Sequence, residues 1–129
     1  MDKSELILNG DGSVYHLKLK PENLSSKIIL VGDQFRVDKI TKHFEKIEFK
    51  VQNREFKSVT GYYNSNRITV ISTGIGSGNI DIVLNELDAL VNIDLDTGEI
   101  NKSLKKLELI RIGTSGAIQN NIPVDSFLI

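Results

Sequence analysis

The sequence predicts a mixed α/β sheet, on three observations. Ile28-Ile29-Leu30-Val31, a short apolar run rich in β-branched residues, and Leu107 to Ile112 each stop at a glycine (Gly32 and Gly113), as buried strands do. Between them Ile47, Phe49 and Val51 alternate with Glu48, Lys50 and Gln52, the period of a half-buried antiparallel strand. Behind a glycine-rich loop, Ile80, Val83, Leu84, Leu87, Leu90 and Val91 keep a helical period. Strands of both kinds alternating with amphipathic helices build a sheet with helical cover.

Residues 1–13 are polar, with Asn9-Gly10-Asp11-Gly12 as turn chemistry, and are expected to form an N-terminal arm. Residues 14–129 are expected to form a portion of a single domain. The strand at 28–31 leads through Asp33, a plausible N-cap, into a helix over residues 34–44, whose apolar face is Val37, Ile40 and Phe44. Phe56 to Tyr63 and Arg67 to Ser72 flank Asn64-Ser65-Asn66, which predicts a hairpin. Thr73 to Asn79 form the glycine-rich entrance to the long helix. Residues 93–106 read as a surface connection, with a helical turn at Lys102 to Lys106, before the buried strand at 107–112. Val124 to Ile129 read as a last strand, cut at or near its end, that exposes a sheet edge in want of cover; a C-terminal half is expected to be missing.

At 129 residues, 40% hydrophobic and 26% charged, the chain can bury a core without a disulfide or a structural metal. It has no cysteine, which excludes thiolate zinc sites, cysteine nucleophiles and redox pairs and fits a cytoplasmic address. A net charge of -1 argues against a nucleic-acid surface. No run of about 18 apolar residues offers a membrane span, and the N-terminus has no signal-peptide core.

The glycine loop Gly74-Ile75-Gly76-Ser77-Gly78 fails the dinucleotide fingerprint, because Asn79 and Asp81 stand where glycines are needed. Asn92 to Asp96 opens like a calcium loop but has Thr97 and Ser103 at the sixth and twelfth positions. Two histidines, His16 and His43, give hydrolytic triads and metal clusters little material, and composition alone places both at the surface. Arginine is more telling. The chain has 16 basic residues, of which only Arg36, Arg54, Arg67 and Arg111 are arginine. Where lysine is the default cation, the planar guanidinium fork suggests bidentate contact with a carboxylate or phosphate. Arg36 follows the strand-to-helix turn at Gly32-Asp33, and Arg111 precedes Gly113-Thr114-Ser115-Gly116, so both fall near strand C-termini, where α/β ligands bind. Backbone amides and the Thr114 hydroxyl would complete an anion cradle. Two ordinary ion pairs remain the alternative at this point.

From about Val14 to Ile129 the chain resembles the N-terminal half of the nucleoside phosphorylases, and among them the uridine phosphorylases. The resemblance is carried by Val14-Tyr15-His16-Leu17, Val31-Gly32-Asp33 with Arg36-Val37, Asn53-Arg54-Glu55-Phe56, Ser72-Thr73-Gly74-Ile75-Gly76 and Ile110 to Gln119. It implies a three-layer α/β/α fold around a mixed, barrel-like sheet, here truncated, in a homo-oligomer (a dimer or a hexamer of dimers) with shared active sites. It further implies that Gly32, Arg36, Arg111 and Thr114 hold phosphate, with Arg111 and Thr114 catalytic. Arg54 would reach a neighbouring subunit's phosphate, and His16 its ribose 5'-hydroxyl. Thr114 would also touch the ribose, with Ser115 and Gly116 beside the base. Glu55, Ile75 through its carbonyl, and Asn79 match positions that hold a monovalent cation such as K+ between subunits, although Asn79 is often Ser there.

The implied reaction is reversible phosphorolysis, in which phosphate attacks C1' as the base departs. Inorganic phosphate is a co-substrate and no other cofactor is required. The resemblance departs at Gln34-Phe35, where the family's turn carries a proline that would fix φ at the first helical position. The base-recognition residues and the acid that grips the ribose hydroxyls belong to a C-terminal half, so the chain alone is expected to be inactive. A purine nucleoside phosphorylase or nucleosidase of the same superfamily is the enzymatic alternative, and a non-catalytic nucleoside or phosphate binding module is the other.

Overall fold

The computed structural model describes residues 6–129. The first five residues of the expected arm lie outside the described residues. A single sheet of five strands runs in the order β2-β3-β4-β1-β5. Its strands are β1 (Lys27–Val31), β2 (Lys46–Asn53), β3 (Phe56–Tyr63), β4 (Asn66–Ser72) and β5 (Glu108–Ile112), with helices α1 (Gln34–Thr41) and α2 (Ser77–Asn92). β1 lies between β4 and β5 and is parallel to both, whereas β2–β3 and β3–β4 are antiparallel.

Alternation along β1 assigns the two faces. Ile28 and Leu30 enter one core with Ile71, Phe56, the α2 residues Val83, Leu87 and Leu90, and Val14, Leu17, Leu19 and Leu24 of the lead-in segment. Val31 enters the other with Val59, Val70 and Val37 of α1, and Ile29, Ile40, Phe44 and Ile68 pack against it. Helices therefore cover opposite faces, giving the three-layer arrangement. Val59, Val70 and Ile71 are completely buried; each such side chain contributes about 1.5–3 kcal/mol. The lead-in segment is held to the hairpin by a buried polar chain. Ser25 N donates to Thr69 Oγ1 at 2.9 Å, the Thr69 and Thr60 hydroxyls meet at 2.8 Å, and Thr60 Oγ1 donates to Asn23 O at 2.7 Å.

Local chemistry sets the element ends. Asp33 caps α1, its side chain accepting from Phe35 N at 2.9 Å. α1 stops short of the expected residue 44 because its end tightens into i→i−3 bonds, His43 N to Ile40 O and Phe44 N to Thr41 O. Phe44 still packs on the α1-side core. The β3–β4 turn is Asn64-Ser65, at φ 46° and 62°, the left-handed pair that matches strand twist. Asn66, read from sequence as turn, is the first residue of β4.

Three expectations need correction. There is no helical turn at Lys102 to Lys106, where the Asn92 side chain holds the Lys105 backbone by accepting from its N at 2.7 Å and donating to its O at 3.2 Å. β5 forms, but all five of its residues are exposed rather than buried, because it is the sheet's edge and pairs only with β1. Val124 to Ile129 is not a strand; no described ladder receives it, and Ser126 closes a turn onto Pro123 O. No helix among the described residues is long and apolar enough to cross a membrane.

Candidate active site

Because β4, β1 and β5 are parallel, the turns that leave them open at one end of the sheet. The β1–β4 ladder continues beyond the strands through Thr73 N to Val31 O at 2.8 Å and Gly74 N to Gly32 O at 2.9 Å. Side by side, these turns border a cleft of about 820 Å³ lined by Gly32, Arg36, Arg111 and Thr114, with Asp33, Gln34, Glu55, Gly74, Ile75, Gly76, Ile80 and Gly113. Arg36 Nη2 lies 3.4 Å from Thr114 Oγ1, to which it donates, so α1 and the segment after β5 meet across the opening.

Arg111 is seated by glycines. A Cβ at Gly113 would lie 2.5 Å from its Nη1, and one at Gly32 would lie 3.9 Å from its Nη2. Among the described residues, neither Arg36 nor Arg111 forms an ion pair. Arg67 behaves differently. Its Nε donates to Glu48 Oε2 at 2.7 Å and its Nη atoms donate to Leu24 O and Glu22 O at 2.8 and 2.7 Å. The hydrogen bond from Arg67 also holds the Glu48 carboxyl below its usual range. The alternative of ordinary ion pairs thus describes Arg67, not Arg36 or Arg111.

At the missing proline position, Gln34 accepts from the Gln52 side chain, a tie between α1 and β2. Phe35 turns away from the loop and is 69% exposed. Gly74, at φ 69°, cannot carry a side chain, since a Cβ would meet Glu55 Cγ at 2.7 Å and Asn79 Nδ2 at 2.8 Å.

Several expected site residues lie elsewhere. Arg54 is exposed on the turn between β2 and β3 at φ 54°, while its neighbour Glu55 faces the cleft. Ser115 and Gly116 are exposed beyond β5 and do not line the cleft. His16 borders a second cavity of about 350 Å³ with Tyr15, Asp81, Asn85 and Glu86. Its Nδ1 is 2.7 Å from Glu86 Oε1, a contact the sequence reading missed. A signal was present: Glu86 is a carboxylate inside the apolar stripe Val83, Leu87, Leu90.

Glu55, Ile75 and Asn79 do converge, but around an amide. Asn79 Nδ2 donates to Glu55 Oε1 at 2.9 Å and to Ile75 O at 3.2 Å. Both partners are acceptors, so the opposite amide orientation would set oxygen against oxygen. As arranged, the trio is a hydrogen-bond node; with the amide turned over, Glu55 Oε1, Ile75 O and Asn79 Oδ1 would present three oxygens, a donor set that suits a monovalent cation. Among the described residues no group of three or more His, Asp or Glu is placed to hold a metal.

Comparison with known proteins agrees with this geometry. The family model of the phosphorylase superfamily matches residues 26–129. The uridine phosphorylase of Thermococcus kodakarensis is 34% identical over 119 residues, 92% of this chain and 38% of that protein. A DeoD-type purine nucleoside phosphorylase of Alkaliphilus metalliredigens is 36% identical over 83% of this chain and 41% of its own length. The crystal structure of a Trypanosoma brucei nucleoside phosphorylase with uridine phosphorylase activity superposes with a TM-score of 0.82 at 37% identity, over 92% of this chain and 41% of that one. The chain spans about two fifths of the length of these relatives. Matched along four fifths of its residues by one family model, and folded like that family's solved structures, it belongs to the phosphorylase superfamily.

Proposed function

We propose that this chain supplies the phosphate-binding half of a uridine phosphorylase, which cleaves uridine reversibly to uracil and ribose 1-phosphate. The observation that carries this reading is the pair Arg36 and Arg111, in no ion pair among the described residues and facing one glycine-walled cleft with Thr114. Two guanidinium groups hold a phosphate dianion by charge-assisted hydrogen bonds and point one oxygen at C1'. As the bond to the base breaks, positive charge grows on the sugar beside the anion, so positioning and electrostatics lower the barrier. The protein needs no nucleophile. A nucleosidase, which uses water, has no use for two such arginines.

Gly32 belongs to the phosphate cradle in this reading, and Ser115 and Gly116 meet the nucleoside outside the cleft. The placement of Arg54 and His16 away from the chain's own cleft supports shared sites in a homo-oligomer, in which they reach a neighbour's phosphate and ribose 5'-hydroxyl. Purine nucleosides are the second reading, favoured by the identity to the DeoD-type enzyme.

The test is a titration of the chain with inorganic phosphate, following the backbone amides of Gly32, Gly113 and Thr114 by NMR, alongside ultraviolet assays of uridine and inosine, with and without phosphate, once the expected C-terminal half is supplied. Saturable shifts at these amides that vanish in Arg111→Ala are expected; shifts absent at millimolar phosphate overturn the reading. Phosphate-dependent loss of inosine but not uridine would move the substrate to the purine class.

A further inference from the structure

Glu86 is 7% exposed and sits on the apolar stripe of α2. A carboxylate there is unfavourable unless its oxygens are met by donors. They are. Oε2 accepts from Leu17 N at 2.8 Å, and Oε1 accepts from His16 N at 2.8 Å and meets His16 Nδ1 at 2.7 Å. The other two acids lining this cavity are engaged along the helix, Asp81 by Asn85 at 3.0 Å and Asp88 by Asn92 at 2.7 Å. Among the described residues, only Glu86 grips the ring.

The rest of His16 is held as firmly. Its carbonyl accepts from Asn53 Nδ2 at 2.9 Å. The ring stands edge-on to Tyr15 at 4.9 Å and to Phe56 at 6.1 Å between centroids. An ionised carboxylate only accepts, so the nitrogen facing it carries the hydrogen, and in the neutral imidazole the other nitrogen is then a bare lone pair. Histidine free in water prefers the opposite tautomer, with hydrogen on Nε2.

We propose that Glu86 is a positioning residue that fixes His16 in the Nδ1–H tautomer and so presents Nε2 as an acceptor to the hydroxyl of a sugar ligand. The inference rests on the reading above for the identity of that ligand, and on the geometry of this chain for the tautomer. His16 then accepts a hydrogen bond from the hydroxyl rather than donating one. A ligand in which that hydroxyl is replaced by an ether or a hydrogen has nothing to give it.

The chain contains two histidines, and the exposed His43 serves as an internal reference. Long-range 1H–15N correlation spectra of the 15N-labelled chain, assigned with His43→Gln, should show hydrogen on Nδ1 and a bare Nε2 for His16 at the alkaline end of a titration. His43 should show the reverse. In Glu86→Gln the carboxamide can donate to a bare Nδ1, and the His16 tautomer ratio should fall by about tenfold, as expected for loss of a charge-assisted hydrogen bond. Hydrogen on His16 Nε2 at the alkaline end in the wild type, in a neutral or a charged ring, overturns the proposal. So does an unchanged ratio in a Glu86→Gln chain that keeps the wild-type methyl spectrum. If that variant does not fold, the wild-type spectrum alone decides whether the tautomer exists, and Glu86→Asp, which keeps the charge but shortens its reach, should lower the Nδ1–H fraction. No nucleoside or phosphate enters these spectra, so their failure and a failure to bind phosphate are separate results.

Discussion

Arg67 and Arg111 sit in the same sheet and have opposite surroundings. On the hairpin side, the Arg67 guanidinium is used up by Glu48 and two backbone carbonyls, and it staples the 3-10 turn at Pro21–Asn23 to β4. On the parallel side, Arg111 faces a cleft walled by glycines and forms no ion pair among the described residues. A guanidinium whose donors are satisfied within the fold contributes to stability, and one left with open donors is available to a ligand. The strands β3, β4 and β1 are where this chain holds itself together; the β5 edge and the turns beside it are where it is open.

The largest expected difference lies in the core. Phe56→Ala, at a side chain 1% exposed, should cost about 3–5 kcal/mol in urea unfolding, whereas Ile110→Ala on exposed β5 should cost under about 0.5 kcal/mol. Equal costs would erase the distinction between the buried strands and the open edge. Next, Arg111→Ala should weaken phosphate binding by tenfold or more in calorimetric or NMR titrations without lowering the unfolding midpoint. Arg67→Ala should do the converse, losing about 1–2 kcal/mol of stability with phosphate affinity kept. Gly113→Ala is a milder change at the same place. Its Cβ falls 2.5 Å from a mobile guanidinium end, so the side chain must swing aside, and phosphate affinity should drop severalfold with little change in stability.

The smallest effect concerns acid. Glu48 has its carboxyl lowered in the folded chain, first by the hydrogen bond from Arg67. A lowered folded value means that the contribution is present above the ordinary carboxylate range and is lost as pH falls through the folded value. Glu48→Gln should therefore differ from wild type in urea midpoint at neutral pH, with the gap closing well below about pH 4.5. A gap that persists in acid would assign the difference to packing.

Much of the fold was legible because burial in it is local. Ile28 to Val31 and the Val83, Leu87, Leu90 stripe are buried by neighbours in the same sheet and helix layer, so their periodicity carries the signal. β5 has leucine and isoleucine at three of its five positions, but whether an edge strand is covered depends on what stands beside it, which no local pattern encodes. The same reason explains why the apolar residues 124–129 do not extend the sheet. In the site, choosing arginine over lysine marked Arg36 and Arg111, and topology explains why they meet. Glu86 escaped notice because its partner, His16, is seventy positions away, although a charge in an apolar stripe was visible.

α2 also works as a ruler. Its entrance at Gly76 borders the cleft, and ten residues on, about 15 Å along the axis, it carries the carboxylate that orients His16. One residue inserted between these points would turn Glu86 by about 100° about that axis, away from the imidazole, while the cleft kept its shape. A residue added to a surface loop would leave the cleft and the imidazole as they stand; one added between Gly76 and Glu86 would uncouple them.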